Sequence, residues 1–385
     1  MKTQSGTFLA RHWLVVACLV LAVGFAMTAY VQSGRIAQLS KTVETERARA
    51  QTSQQREQAL SQFLKTTLDD PAQAQCNDIA VRNVFEQGLA RVCEDLRTHP
   101  ELQAKLFETT SRAESNRVRD VAFVEPPRDA AHPARFEVLH IPSAGVEING
   151  VAYLASGAGP HPTLVICHGW PGNEKNLDLA QAVRRAGWNA VTFNYRGSWG
   201  SPGEFHFAQV PQDAQAVLAW LRTPDVAKKL GIDVRRLAIA GHSMGGWATA
   251  QTAAADAKLF GAILIAPADM GRLGKQPRAD VVKAAAGNAE TLVTSPEKMA
   301  DELIAHADEF AMARTAPGLA KLPVLVLTAE DGLAPGADAL VASIKAQSGA
   351  RVQTQHFTTD HSWSDSRLAL QSSIISWLQA LPVPK

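Results

Sequence analysis

Cysteine is scarce: four in 385 residues, too few to staple so long a chain, and none in a CxxC or His/Cys spacing that would hold structural zinc. An excess of either charge is missing too, since 38 Lys and Arg face 37 Asp and Glu for a net charge of +1. A protein whose main task is gripping nucleic acid needs a basic surplus, because phosphates are met by Lys and Arg. Nucleic acid is therefore excluded as the main partner. Charged residues make up 19% against 46% hydrophobic, the reverse of a disordered composition. What remains is a globular chain of two or three units with a large core, metal-free by default.

Long apolar runs are rare as well, with one exception. From Trp13 to Val31 no charged residue occurs, and about nineteen residues at 1.5 Å rise make roughly 28 Å of helix, near the thickness of a bilayer core. Trp13 and Tyr30 fall at the two ends, where amphipathic rings favour the headgroups. The run predicts a single-pass membrane anchor over residues 1–34. A cleaved signal peptide is the alternative, because small residues around Ala26 and Ala29 offer cleavage points. Lys2 and Arg11 on one side against Arg35, Lys41 and Arg47 on the other leave the positive-inside rule undecided. A short N-terminal tail before a large C-terminal part favours a periplasmic or extracellular catalytic domain, with the cytoplasmic side still open.

Residues 35–70 lack proline and are rich in Gln, Glu, Ala, Lys and Arg, good helix formers that predict a helical stalk. Ile36, Leu39 and Val43 open a heptad-like seam that Glu46, Ser53 and Glu57 interrupt, so self-association through it is expected to be weak. Residues 71–134 read as a small helical region and linker, beginning after Asp69-Asp70-Pro71 and ending near His132-Pro133. On one continuous helix Cys76 and Cys93 lie about 25 Å apart, far beyond the roughly 7 Å a disulfide allows, so bridging them needs a turn near Gly88.

From residue 135 to 385 the pattern changes. Two strand-like runs, Phe136 to Ile141 and Val146 to Ala155, flank Pro142-Ser143-Ala144-Gly145 and predict an antiparallel hairpin. Short apolar runs follow at Leu164 to Cys167, Ala190 to Phe193, Leu237 to Ala240, Ala262 to Ile265, Val324 to Leu327 and Val352 to Phe357. Helical patterns alternate with them at Leu177 to Ala186, Asp213 to Leu221, Met244 to Ala255 and Leu368 to Leu378. Strands apolar on both faces belong to a parallel sheet covered by helices. The expected architecture is α/β: a mostly parallel eight-stranded sheet with a leading antiparallel hairpin. An insertion at about 267–321, with helical patterns at Asp280 to Ala286 and Pro296 to Phe310, occupies the position of a lid. Its Met299, Leu303, Ile304 and Phe310 either line a pocket or pack onto the body.

Gly241-His242-Ser243-Met244-Gly245 lies between a strand and an Ala-rich helix, the context in which G-x-S-x-G makes a nucleophile elbow. A serine hydroxyl needs a base, and His361 follows the last strand-like run. The base needs a carboxylate to hold its tautomer, and Asp331 follows the run that ends at Leu327. Glu330 and Asp269 are alternative acids. The side chain of Asp360, next to His361, is expected to point elsewhere. His168-Gly169-Trp170-Pro171-Gly172 follows the first parallel strand, so the backbone N–H groups of Trp170 and Met244 are the expected oxyanion donors. His168 is expected to hold this loop, and Cys167 to be a buried packing residue.

These motifs, together with Asn194-Tyr195-Arg196-Gly197-Ser198 and Gly200, Ser201 and Gly203, resemble the α/β-hydrolase family. More narrowly they are similar to serine hydrolases of the serine-aminopeptidase, prolyl-oligopeptidase-like and esterase-like groups. The resemblance covers residues 135–385 and implies a serine hydrolase acting on a small-molecule ester or peptide through an acyl-enzyme, without a metal or organic cofactor; with the run from Trp13 to Val31 the expectation is a membrane-anchored serine hydrolase. Acyl transfer or thioester cleavage by the same triad is an alternative. An inactive, membrane-tethered interaction protein is the alternative of another class, and an intact Ser, Asp, His series speaks against it.

Overall fold

The computed structural model describes residues 124–382, which lie in the second of two compact units, Met1–Leu106 and Phe107–Lys385. The expected anchor and its Trp13 to Val31 run, the stalk, the Cys76 and Cys93 pair and nearly all of the small helical region lie outside the described residues. Among the described residues no helix is long and apolar enough to cross a membrane. The longest has 14 residues, where a span needs about 20. The membrane part of the sequence reading is therefore corrected: anchoring, a membrane partner and a periplasmic or extracellular position are set aside.

Eight strands form one sheet: β1 (Arg135–Ser143), β2 (Val146–Leu154), β3 (His161–Cys167), β4 (Asn189–Phe193), β5 (Ile232–His242), β6 (Gly261–Ile265), β7 (Pro323–Ala329) and β8 (Arg351–Phe357). Their spatial order is β1-β2-β4-β3-β5-β6-β7-β8. β1 and β2 form the expected hairpin. Its turn is tighter than the sequence implied, because β1 runs through Ser143 and only Ala144 (φ 45°) and Gly145 (φ 87°) remain to reverse the chain. Two successive positive φ values make the turn that matches strand twist. β2 also pairs antiparallel with β4, while the pairings among β3 to β8 are all parallel. The sheet is thus mixed at one side.

β4 and β6 are buried along their whole length, as strands covered on both faces must be. The edge strand β8 is mostly exposed and carries Arg351, Gln353, Gln355 and His356, polar residues that discourage further pairing. On one face lie α1 (Leu177–Arg185) and α10 (Arg367–Ala380), over a core containing Leu164, Ile166, Ile263 and Leu327. The other face carries α2 (Gln209–Leu221), α3 (Pro224–Leu230), α4 (Met244–Ala255) and α9 (Ala334–Lys345), over Val165, Ile239, Leu264 and Val326.

Between β6 and β7 the insertion forms α5 (Met270–Gly274), α6 (Arg278–Ala286), α7 (Pro296–Ala305), a 3-10 turn Met312–Thr315 and α8 (Ala316–Leu319). The helix expected to reach Phe310 stops five residues earlier. Met299, Leu303 and Phe310 are buried in the core, and only Ile304 is exposed, so these side chains pack onto the body instead of lining a pocket. The Glu302 carboxylate accepts the backbone N–H groups of Phe207 and Ala208 at 2.9 and 2.8 Å, just before α2. Trp247 donates its indole N–H to the carbonyl of Phe310 at 2.7 Å. Glu302→Ala leaves two amides without a partner and is expected to lower stability by about 1–3 kcal/mol. Urea denaturation of the full chain checks this, and an unchanged midpoint would show that the insertion does not depend on that contact.

Candidate active site

β5 ends at His242 and α4 begins at Met244, so the turn between them is one residue, Ser243, with φ 60° and ψ −122°. A non-glycine residue there is strained and persists only where its surroundings enforce it. The enforcement is visible. The Ser243 N–H donates to the carbonyl of Ile265 at 2.9 Å, and its own carbonyl accepts from Gly246 and Ala268 at 2.9 and 3.0 Å. A Cβ on Gly241 would stand 1.9 Å from the carbonyl oxygen of Gly245, and one on Gly245 would stand 2.2 Å from that of Cys167. No side chain fits at either position, which is why the motif needs both glycines.

Asp331 lies in the loop after β7 and His361 in the loop after β8. The backbone N–H of Glu330 donates to the carbonyl of Thr359 at 3.0 Å, which ties the two loops together. The structure brings Asp331 and His361 into contact, the His361 Nδ1–H donating to Asp331 Oδ2 at 2.6 Å. The other carboxylate oxygen accepts the Leu333 N–H at 2.9 Å. Burial pushes the Asp331 carboxyl up, but the hydrogen bonds from His361 and Leu333 and the imidazole charge outweigh it, so the group sits below the usual carboxylate range.

The alternative acids are otherwise engaged. The Asp269 carboxylate accepts the N–H groups of Gly271 and Arg272 at the start of α5, at 3.1 and 3.2 Å. Glu330 points to solvent. Asp360 accepts the N–H groups of Ser362 and Ser364 at 3.0 and 2.9 Å, turned away from the imidazole as expected.

His242 is a residue whose role sequence reasoning missed. Its ring lies 4.5 Å from that of His361, centroid to centroid, and its Nε2–H donates to the His361 carbonyl at 2.7 Å. The His361 imidazole is thereby held by its backbone as well as by Asp331. The only sequence signal was its place immediately before the candidate nucleophile. Burial, followed by the neighbouring His361 charge, pushes the His242 imidazole down to about 4. It therefore stays neutral beside a base that must carry a proton.

The segment after β3 approaches the nucleophile closely: a Cβ on Gly169 would stand 3.1 Å from that of Ser243. Met244 is the first residue of α4, and the first amides of a helix have no partner within it. His168 is buried, its Nδ1–H donating to the Gly169 carbonyl at 2.8 Å while its own carbonyl accepts the Tyr195 hydroxyl at 3.1 Å. Burial, aided by the Lys175 charge, pushes His168 down to about 4. It braces the loop and is no base. Trp199 donates its indole N–H to the Pro171 carbonyl at 2.8 Å, bracing the same loop. Cys167 is fully buried, and burial pushes its thiol up to about 12, as suits a packing residue. Among the described residues no group of three or more His, Cys, Asp and Glu side chains is placed to hold a metal ion.

Two buried neutral histidines have a consequence for stability. Their folded pKa values lie near 4, against about 6.5 when unfolded. The unfolded chain therefore binds protons first as pH falls, and stability is lost between about pH 6.5 and pH 4, by about 3 kcal/mol for each histidine. Urea denaturation from pH 7 to pH 4 checks the expected decline. A flat stability curve over that range would show that the two rings are not held neutral.

Comparison with known proteins gives a consistent picture. The profile described as "Alpha/beta hydrolase family" matches residues 164–373. An esterase of Pyrobaculum calidifontis superposes with a TM-score of 0.52 at 21% identity, covering 72% of this chain and 94% of that one. An acylaminoacyl peptidase of Pyrococcus horikoshii gives 0.50 at 16% identity, covering 64% of this chain and 42% of that one. An uncharacterized protein of Mycobacterium tuberculosis is 27% identical over 121 residues, 31% of this chain and 41% of its own. The matched region thus spans about two fifths of that relative.

Proposed function

The chain belongs to the alpha/beta hydrolase family, and from that premise we propose that it is a serine hydrolase that cleaves a carboxylic ester through Ser243, His361 and Asp331. His361 Nε2 takes the Ser243 hydroxyl proton as Oγ attacks the substrate carbonyl. The N–H groups of Met244 and Trp170 serve as the donors to the oxyanion that forms. Its collapse breaks the bond to the leaving alkoxide, which takes the proton from His361 and departs as the alcohol, leaving an acyl-enzyme. Water then repeats the sequence, giving its proton to His361 and releasing a carboxylate and free Ser243.

The observation that carries this reading is the 2.6 Å contact of His361 with Asp331, together with a serine held at φ 60° on the elbow. An esterase and an acylaminoacyl peptidase share the fold, so the fold does not choose between ester and amide. Treating the full chain with a fluorophosphonate tests the nucleophile: the phosphonyl adduct is expected on Ser243 by peptide mass and is expected to be absent from Ser243→Ala. A folded protein that takes up no reagent overturns the reading. Comparing an acyl ester with the matching anilide then separates ester from amide cleavage.

A further inference from the structure

A cavity of about 270 Å3 lies away from the elbow, on the face of the sheet that carries α1. Its floor is one cross-strand row. Val138 on β1 is the register partner of Val151 on β2, Val151 of Thr192 on β4, and Thr192 of Ile166 on β3. Register partners project to the same side of a sheet, so four strands present one surface. At one end the rim is apolar and open, with Val138 62% and Leu177 44% exposed. Isolated exposed apolar residues are ordinary, but here both border one concavity.

The other end is polar and cationic. Lys175 lines it, its ammonium donating to Asn194 Oδ1 at 3.0 Å and lying 3.9 Å from the centre of the Trp199 ring. No carboxylate pairs with Lys175 among the described residues. The adjacent Glu174 is engaged by the Asn176 N–H at 2.6 Å and stands 3.9 Å from Arg367. The side-chain amide of Asn149 and the hydroxyl of Thr192, which also line the cavity, make no hydrogen bond among the described residues. A half-buried cation without a counter-charge is costly. Accordingly, burial pulls the Lys175 ammonium down to about 8. An anion placed there restores the charge balance, and the free amide and hydroxyl can satisfy its remaining oxygen lone pairs.

We infer that this cavity is a second binding site, distinct from that of Ser243, for a small amphiphilic carboxylate whose chain lies along Val138, Val151 and Leu177 and whose head meets Lys175. Its volume falls just below the roughly 300–1,000 Å3 of ordinary ligand pockets, which restricts the occupant to a short chain. An ester hydrolase releases carboxylates, so the ligand belongs to a class that the protein meets at its own nucleophile. Lys175 and His168 stand on the segment that also carries Trp170, so an occupant rests against the loop that faces the elbow.

Photolabelling of the full chain with a diazirine-bearing octanoate tests the site, with the corresponding neutral octanamide as control. Adducts are expected on peptides of β2 or around Leu177. Labelling by the acid below saturation is expected to exceed that by the amide about ten- to hundred-fold, the worth of a hydrogen bond to a charged group. Lys175→Met is expected to abolish that preference and Lys175→Arg to keep most of it. The acid and amide compared on the unaltered protein do not depend on how either variant folds. Equal labelling by acid and amide, or adducts confined to peptides bearing Ser243 and His361, overturns the inference. Because the readout is binding, its failure leaves the ester chemistry untouched, and loss of the Ser243 nucleophile leaves this site untouched.

Discussion

Ser243→Ala is expected to lower kcat for a short acyl ester by about 10,000- to 1,000,000-fold, leaving only what the oxyanion donors and substrate binding supply. The large magnitude follows from how the site is built. His361 and Asp331 have no other nucleophile to activate: the one cysteine on the neighbouring strand, Cys167, is fully buried with its thiol pushed up to about 12. Alanine keeps the backbone of the elbow, where the Ser243 N–H and carbonyl make the contacts that hold φ at 60°, although any Cβ there retains the strain. The folded protein, judged by its urea midpoint, is therefore expected to change little while turnover disappears. Urea denaturation measures the first arm and steady-state kinetics on a p-nitrophenyl ester the second. A loss under tenfold would place the reaction on another residue.

The second large effect is expected from Asp331→Asn, at about 10,000-fold in kcat near neutral pH. The carboxylate accepts the Nδ1–H of His361, which leaves the proton off Nε2 and its lone pair free to accept one. An asparagine can present an amide N–H at that place, whereupon Nδ1 becomes the acceptor and Nε2 carries the proton. The base is then blocked by its own tautomer. Loss of negative charge also removes the group that stabilises the imidazolium. KM for a neutral ester is expected to stay within a few-fold, because Asp331 does not reach the substrate. If kcat falls no further than it does for Glu330→Gln, the acid has been misassigned.

The pH dependence separates Asp331 from the histidines. Its folded pKa is depressed, so its contribution to stability is complete above the unfolded carboxylate value of about 4 and is lost only as pH falls through the depressed folded value. Decline between pH 6.5 and pH 4 therefore belongs to His168 and His242, and decline below that to Asp331 and the other paired carboxylates.

Some of this was legible in the chain because its causes are local. The elbow demands glycines at fixed offsets from the serine, and Gly241 and Gly245 are the positions where a Cβ would strike backbone. The buried strands announce themselves as uninterrupted apolar runs because both faces are covered. Met244–Ala255 forms the helix that its Ala-rich pattern predicts. The polar edge β8 was legible too, as the run Val352 to Phe357, because Val352 and Phe357 pack against the core while the residues between them are exposed.

Other features depend on meetings between distant segments. Asp269, Glu330 and Asp331 each follow a strand and look alike in sequence. What separates them is direction: one caps α5, one faces solvent, and one meets His361 across 30 residues. His242 and His361, 119 residues apart, form a contact that no pattern of spacing records. The placement of β2 beside β4, and so the row from Val138 to Ile166, is likewise a property of strand order. Composition, periodicity and motif determined an alpha/beta hydrolase fold with a serine on its elbow, because backbone geometry and burial act within a few residues. Which acid, which bracing histidine and which cavity serve it was decided only by tertiary structure, because hydrogen bonds and charge compensation act through space between residues far apart in the chain.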